Sequence, residues 1–541
     1  MSDQSRLNPG NSRSSAPRSV NQRIAASAGI VMASILASRL LGFLREWAVA
    51  HQFGSSAVTD AYYTAFTLPD FVNYLVAGAS LSITFIPVFA KYIAEDNEEE
   101  GWRVFSTVIT AMVLLLLILV VVGEFFAPEL LHVIAPGFNP AEKAHTVFLT
   151  RLMMPAQIFF YLGSILTAVQ YAKGRFVIPS LAPVIYNSGI ILGGFLLAST
   201  IGITGFSVGV VCGAFVGNFL LQIYGARRVG ARFTPNLNLR HPGFRMFIKL
   251  AVPIMLALSV VFSDDWIIRW FGSYLVPASI TWLSYAKFLM RVPLGVIGQA
   301  VGVASFPFLA QLYAEKKYDE LNRTLNTTLK GLLLMIVPVS ALTIAMSQPL
   351  VYFVFSHTRL KVPDLNATAA ALALFSISMF AWGAQNILAR GFYAGRNTLR
   401  PALIGTAITV LNLPVYWVMS RHLQFKGLAL ASSVGISAYA IVLFVSLYRS
   451  TANKAIMEMV GFFLRIAVAS CVGAAGAFEV VRWLQGRMNW QNTLGAFVIL
   501  FAATLVGLVL TGISARVLRI RELNDYLKFI PLLSRLRRSF G

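Results

Sequence analysis

Long apolar segments alternate along the chain with short polar or Gly/Pro punctuation. They fall near 25–50, 61–90, 104–127, 146–172, 177–200 and 201–226, then near 250–273, 279–314, 331–355, 365–389, 401–420, 427–448, 458–481 and 491–515. Each approaches the roughly 20 apolar residues that a helix needs to cross a bilayer. The pattern predicts an all-α polytopic membrane protein with 14 transmembrane helices. Residues 1–24, rich in Ser, Asn, Arg and Pro, lack the apolar core of a signal peptide and are expected to be a disordered tail.

The chain also matches itself. FIPVFAKYIAEDNEEEGWRVFST at 85–107 aligns without a gap on SFPFLAQLYAEKKYDELNRTLNT at 305–327, an offset of 220 residues that pairs Pro87 with Pro307, Glu95 with Glu315 and Arg103 with Arg323. Tyr171, Ala172 and Pro179 recur as Tyr393, Ala394 and Pro401 at an offset of 222. The repeating unit is six helices. Because six is even, the second copy enters the membrane in the same orientation as the first, so two parallel lobes are expected, at 25–226 and 250–448. A basic linker, 227–249, joins them. Helices 13 and 14 occupy 449–515, and 516–541 forms a basic tail. Lobes of this kind place a site between them and expose it alternately, so transport is the expected activity.

Composition supports the membrane reading: 57% of residues are hydrophobic and 12% charged, against about 25% charged in soluble chains. The net charge of +22 would suggest nucleic acid in a soluble protein. Here it follows topology. Of 44 Lys and Arg, 30 fall on the side of both termini, 7 on the other side and 7 inside the segments, which makes both termini cytoplasmic and removes the case for a nucleic-acid partner. The C-terminal tail interleaves Leu, Ile and Phe with Arg and Lys, the pattern of a helix on anionic membrane lipids. Cys212 and Cys471, far apart in apolar segments, read as small buried hydrophobes. There is no GxxxxGK[ST] and no HExxH, and the six His are scattered, so neither an enzyme nor a cofactor or metal site is indicated and the coupling ion is left open.

The informative residues are charges inside apolar segments, each of which costs about 2.5–3.5 kcal/mol at a helix centre unless it meets water or a partner. They concentrate in the first two helices of each lobe: Arg39, Arg45 and Glu46; Asp60 and Asp70; Asp264, Asp265 and Arg269; Lys287 and Arg291. Asp265 and Arg269, four apart, can pair directly. Lys287 and Arg291, also four apart, repel unless Asp264 or an anionic ligand lies between them. Arg39 and Arg45 lie about 120° apart round a helix and share a cavity only if the helix bends, for example at Gly42. Arginines suit bidentate phosphate contact, so an anionic cargo is expected.

SRLLGFLRE at 38–46, TDAYYTAFTLPD at 59–70, FIPVFAKY at 85–92, APGF at 135–138, RFVIPSLAPVIYN at 175–187, SYAKFLMRVPLGVIG at 284–298 and ARGFYAGRNTLRP at 389–401 together resemble the MurJ/MviN-type lipid II flippases of the multidrug/oligosaccharidyl-lipid/polysaccharide exporter superfamily. The resemblance implies a V-shaped, two-lobed protein of the bacterial inner membrane, acting as a monomer. It would carry undecaprenyl-pyrophosphate-linked peptidoglycan precursor to the outer leaflet, with helices 13 and 14 forming a groove for the lipid tail. By position it places Arg39 and Arg45 at the pyrophosphate and Asp60 near an outer-side gate. From their own charges, and not from the resemblance, Lys287 and Arg291 are expected to face the same cavity, with Gly42, Glu46, Asp70, Asp264, Asp265 and Arg269 in supporting or gate roles. The chain departs from the family pattern at Asn73 and Tyr74, where basic residues are usual, at Gly78, where an acid is usual, and at Lys287 and Phe288, which replace an acid and an Arg. Some members bind sodium between helices 7, 11 and 12; Asp264, Asp265 and Asn412 could contribute here, but Tyr416 offers no carboxylate. Another polyprenyl-linked glycan is the alternative cargo, and a cation-coupled drug antiporter the more distant one.

Overall fold

The computed structural model describes residues 20–73, 80–259, 263–395, 397 and 399–523. Tyr74, Gly78, the first 19 residues and most of the basic C-terminal tail lie outside these. Every regular element among the described residues is helical. The chain opens with α1 (Val20–Phe53). A broken second segment follows as α2 (Ala57–Ala65), α3 (Thr67–Val72) and α4 (Ser80–Ala94). Next come α5 (Glu98–Phe125), the short α6 (Ala127–Ile134), α7 (Pro140–Met153), α8 (Ala156–Ala172) and α9 (Val177–Ile201). The helix α10 (Thr204–Ala214) continues through a π-helical turn, Phe215–Leu220, into α11 (Leu221–Arg228).

The second half holds α12 (Pro242–Ser259), α13 (Ser263–Gly272), α14 (Ser279–Ala314), α15 (Tyr318–Ala345), α16 (Ser347–Phe355), α17 (Val362–Ser376) and α18 (Met379–Ala394). It closes with α19 (Leu399–Ser450), α20 (Ile456–Gln485) and α21 (Thr493–Val517).

Local sequence explains the punctuation. Asn139 caps α7, its side chain accepting from the Glu142 amide at 2.9 Å while Glu142 reaches back to the Asn139 amide at 3.0 Å, with Pro140 at the first helical position. In α19, Gln424 leaves helical geometry at φ 54°, which separates the expected eleventh and twelfth segments.

Eight helices among the described residues are long and apolar enough to cross a membrane, or nine if α17 and α18, bent by 43°, form one span. The first, second, seventh and eighth segments, which carry most of the in-span charges, are not among them; the second and seventh run through residues outside the described set.

The internal match has a structural counterpart. The helices α5 and α15 are both 28 residues long and start 220 residues apart. The turns before them use Asp96 and Lys316, in equivalent positions, at φ 53° and 56°. A large apolar core runs from α1 and α2 through α10 to α13–α20, and a second fills the space among α3, α4, α5, α8 and α12. Near the C-terminus, Lys330 on α15 binds Glu458 and Glu522 at 2.7 Å each and so ties α20 and the chain beyond α21 together. Burial alone would push the Glu522 carboxyl up, but this ammonium holds it below its usual range.

Cys212 and Cys471 are exposed on α10 and α20, contrary to the expectation of burial. Their neighbours Val216 and Val472 are exposed too, at 45% each. A lipid-facing surface is as apolar as a core, so a small hydrophobe fits there without being enclosed.

The α9–α10 contact depends on small residues. A side-chain carbon on Gly209 would lie 2.6 Å from the Gly189 carbonyl oxygen and 2.8 Å from the Ile190 Cα, so the helix backbones meet directly. Gly209→Ala should therefore lower the thermal midpoint in detergent, by the equivalent of about 1–3 kcal/mol. Gly461→Ala, where nothing lies within 4 Å, should not. Equal midpoints for the two variants would refute backbone contact at this crossing.

Candidate functional site

A cavity of about 400 Å³ opens where α1, α2, α3, α8, α9, α13 and α14 meet. Its polar lining is Arg45 and Glu46 from α1, Asp70 from α3, Asp265 and Arg269 from α13, and Lys287 and Arg291 from α14. Aromatic walls come from Tyr62, Tyr63, Phe66, Phe160, Tyr186 and Phe288. Asn73 also lines it, where a basic residue was expected from the resemblance. The first and second repeats both contribute charge.

Arg45 donates from Nε and Nη2 to Glu46 at 3.2 and 2.7 Å, and from Nη1 to the side-chain Oδ1 of Asn187 at 3.2 Å. Tyr63 donates to the other Glu46 oxygen at 2.6 Å, so both oxygens of the buried carboxylate are held. Arg39 does not line this cavity. The helix α1 is unbroken through Gly42, and residues six apart leave it about 120° from one another, on different faces. The Arg39 guanidinium instead lies directly over Gly295 of α14, in contact with the position a Cβ would take.

The like-charged pair on α14 is resolved by α13. Lys287 is 4% exposed, and its ammonium contacts both Asp264 and Asp265, the latter at 2.5 Å. Arg291 binds the other side of Asp265 at 3.1 Å. Arg269 turns away from the Asp265 pairing expected of it and donates to Thr67 Oγ1 at 2.7 Å. Asp264 stands behind the cavity wall, accepting from the Tyr416 hydroxyl and from Ser432 Oγ at 3.0 Å. Asn412 donates to the Ala431 carbonyl at 2.9 Å. A sodium ion does not fit these residues, because the place beside Asp264 and Asp265 is taken by the Lys287 ammonium. Among the described residues no group of three or more His, Cys, Asp and Glu could hold a metal.

Asp60 lies outside the lining and 3% exposed. Its carboxylate accepts from the Ala278 and Thr281 amides at 2.7 Å each and from the Thr281 hydroxyl at 2.6 Å. These amides are the unpaired donors at the start of α14, where a helix dipole also favours negative charge. Other bonds join the repeats around it: Tyr285 to the Gly54 carbonyl at 2.9 Å, Trp282 to Ser55 at 3.2 Å, the Gly137 amide to Ser273 at 3.1 Å and the Arg359 amide to the Ala50 carbonyl at 3.2 Å.

Tyr63, Asn187 and Ser432 were not singled out from the sequence. Each acts on a charge supplied by a different helix; Tyr63 and Asn187 lie within the TDAYYTAFTLPD and RFVIPSLAPVIYN stretches, whereas Ser432 lies in none of the stretches that carry the resemblance.

Residues 49–513 match the family described as Lipid II flippase MurJ. The chain belongs to that family. It is accordingly a multi-pass membrane transport protein and not an enzyme. The lipid II flippase MurJ of Burkholderia cenocepacia is 26% identical over 492 residues, covering 88% of this chain and 94% of that protein. A solved lipid II flippase MurJ in an inward closed conformation aligns with a TM-score of 0.75 at 23% identity, over 90% of this chain and 99% of that one. An inward-facing multidrug resistance MATE family transporter of the MOP superfamily aligns at 0.60 and 14% identity, over 77% and 94%. These structural likenesses establish the fold.

Removing the Asp60 carboxylate leaves two amides without their acceptor, a loss of about 1–3 kcal/mol each. Asp60→Ala should raise amide hydrogen exchange at 278–281 well above that of the native chain, and unchanged protection there would show that the carboxylate does not hold the junction.

Proposed function

We propose that the chain moves lipid II, the undecaprenyl-pyrophosphate-linked peptidoglycan precursor, from the inner to the outer leaflet of the bacterial cytoplasmic membrane by alternating access. Family membership supports the cargo class, and the observation that carries the site is the charged cavity built by both repeats. In this reading α2–α4, α7–α8, α10–α11, α12–α13 and α17–α18 are single crossings and α19 is two, giving 14 spans with both termini cytoplasmic. The two six-helix lobes rock about the cavity, α20 and α21 receive the lipid tail, and the molecule works as a monomer with its basic tail on anionic lipids.

Arg45 is the chief candidate for the pyrophosphate. Its described bonds use three of five N–H donors, leaving two for a phosphate oxygen. Arg291, half exposed on the opposite wall, is the second. Asp60 acts on the gate through α14 and not on the cargo. Four basic side chains against three acidic ones on the lining suit an anion better than a cationic drug. Asn73 and Phe288 on the wall keep another polyprenyl-pyrophosphate glycan as the second reading.

The test is complementation of cells depleted of their lipid II flippase, with flipping assayed in proteoliposomes holding lipid II or another polyprenyl-pyrophosphate glycan. Native protein should restore growth and flip lipid II. Arg45→Ala should lose about 10-fold or more in rate, the equivalent of one charge-assisted contact, while still accumulating in the membrane. Arg39→Ala, outside the lining, should lose less. Full activity of Arg45→Ala at normal expression would sink the assignment, and transport of the alternative glycan alone would transfer it to that cargo.

A further inference from the structure

We infer that the Lys287 ammonium is a tethered counter-ion that permanently fills the cation position between Asp264 and Asp265, so that this protein neither binds nor needs an exchangeable sodium ion there. The network is neutral as built: Lys287 and Arg291 balance Asp264 and Asp265. Asp264 also accepts from Tyr416 and Ser432 of α19. The far side of the ammonium faces the Phe375 ring, with 5.6 Å to its centroid, a surface that attracts cations. One side chain of α14 thereby touches α13 and α17, and through Asp264 it is linked to α19. A cation on a side chain cannot leave, so the network can hold these helices together but cannot carry an ion across the membrane.

This inference concerns the driving force of the transport proposed above, but it is read out by stability, so it can fail while lipid II transport stands, and the reverse. The full chain is purified in detergent and its thermal midpoint measured in sodium chloride, in choline chloride and with added ethylammonium. The native protein should melt at the same temperature in sodium and choline. Lys287→Ala, which exposes the two carboxylates to an empty space, should melt several degrees lower in choline and recover most of the loss with sodium or ethylammonium. A native protein stabilised by sodium over choline would overturn the proposal, as would a Lys287→Ala variant that melts like the native chain whatever the cation.

If Lys287→Ala does not accumulate, Lys287→Ala/Asp264→Asn should, because Asp265 keeps Arg291 and the orphaned charge is gone; that rescue supports the proposal. Failure of the double variant to accumulate as well would overturn it, since Lys287 would then be needed for something other than balancing Asp264.

Discussion

A buried carboxylate is tolerable in an apolar slab only where donors converge on it, and the donors that converge on Asp60 are the first amides of α14. That single arrangement places the start of α14 against α2. From there the helix carries Lys287 and Arg291, two and three turns on, to α13 and the cavity. The positions of the α14 charges depend on this anchor, since a helix fixed at one end in rotation and height has little freedom left over its next three turns. The surrounding bonds from Tyr285, Trp282 and the Gly137 amide would not alone set its direction, because they are made by side chains or loops. The Asp60 contacts are to the helix backbone itself.

How much of this was legible in the sequence depended on range. The helices, their order and the 220-residue repeat rest on local apolar patterning, and the equal lengths of α5 and α15 with matching left-handed turns at Asp96 and Lys316 show the repeat in the backbone. The need for a counter-charge beside Lys287 and Arg291 also followed from their spacing. Its source was only half visible: Asp264 was a candidate, whereas Asp265 had been paired with Arg269, four residues on along the same helix. Helical spacing states which residues can meet and not which do, and a partner on a neighbouring helix outcompeted the local one. Arg39 shows the same limit in reverse: six residues before Arg45 on an unbroken helix, it stands over Gly295 of α14 and not on the cavity wall. The expectation for Cys212 and Cys471 failed for a different reason, since a soluble protein's inside and outside do not apply to a surface that meets lipid.

The charge balance shapes how an anionic headgroup is received. Counting Asp264 behind the wall, four basic groups stand against four acidic ones, and three of the basic groups, Arg45, Lys287 and Arg291, are already ion-paired while Arg269 is held by Thr67. An incoming pyrophosphate therefore shares arginines that already hold protein partners, Arg45 with Glu46 and Asn187, or Arg291 with Asp265. A singly charged or monodentate anion gains too little to displace a buried ion pair, whereas a pyrophosphate presents several oxygens at once. The same exchange supplies a link to motion. The Arg45–Asn187 bond spans α1 and α9, and the Arg291–Asp265 pair spans α14 and α13, so a ligand that takes either arginine alters a contact between helices as it binds. A ligand shifts a conformational equilibrium only through contacts that differ between the states, and here the contacts it would make are ones the resting protein already spends on holding its own helices together.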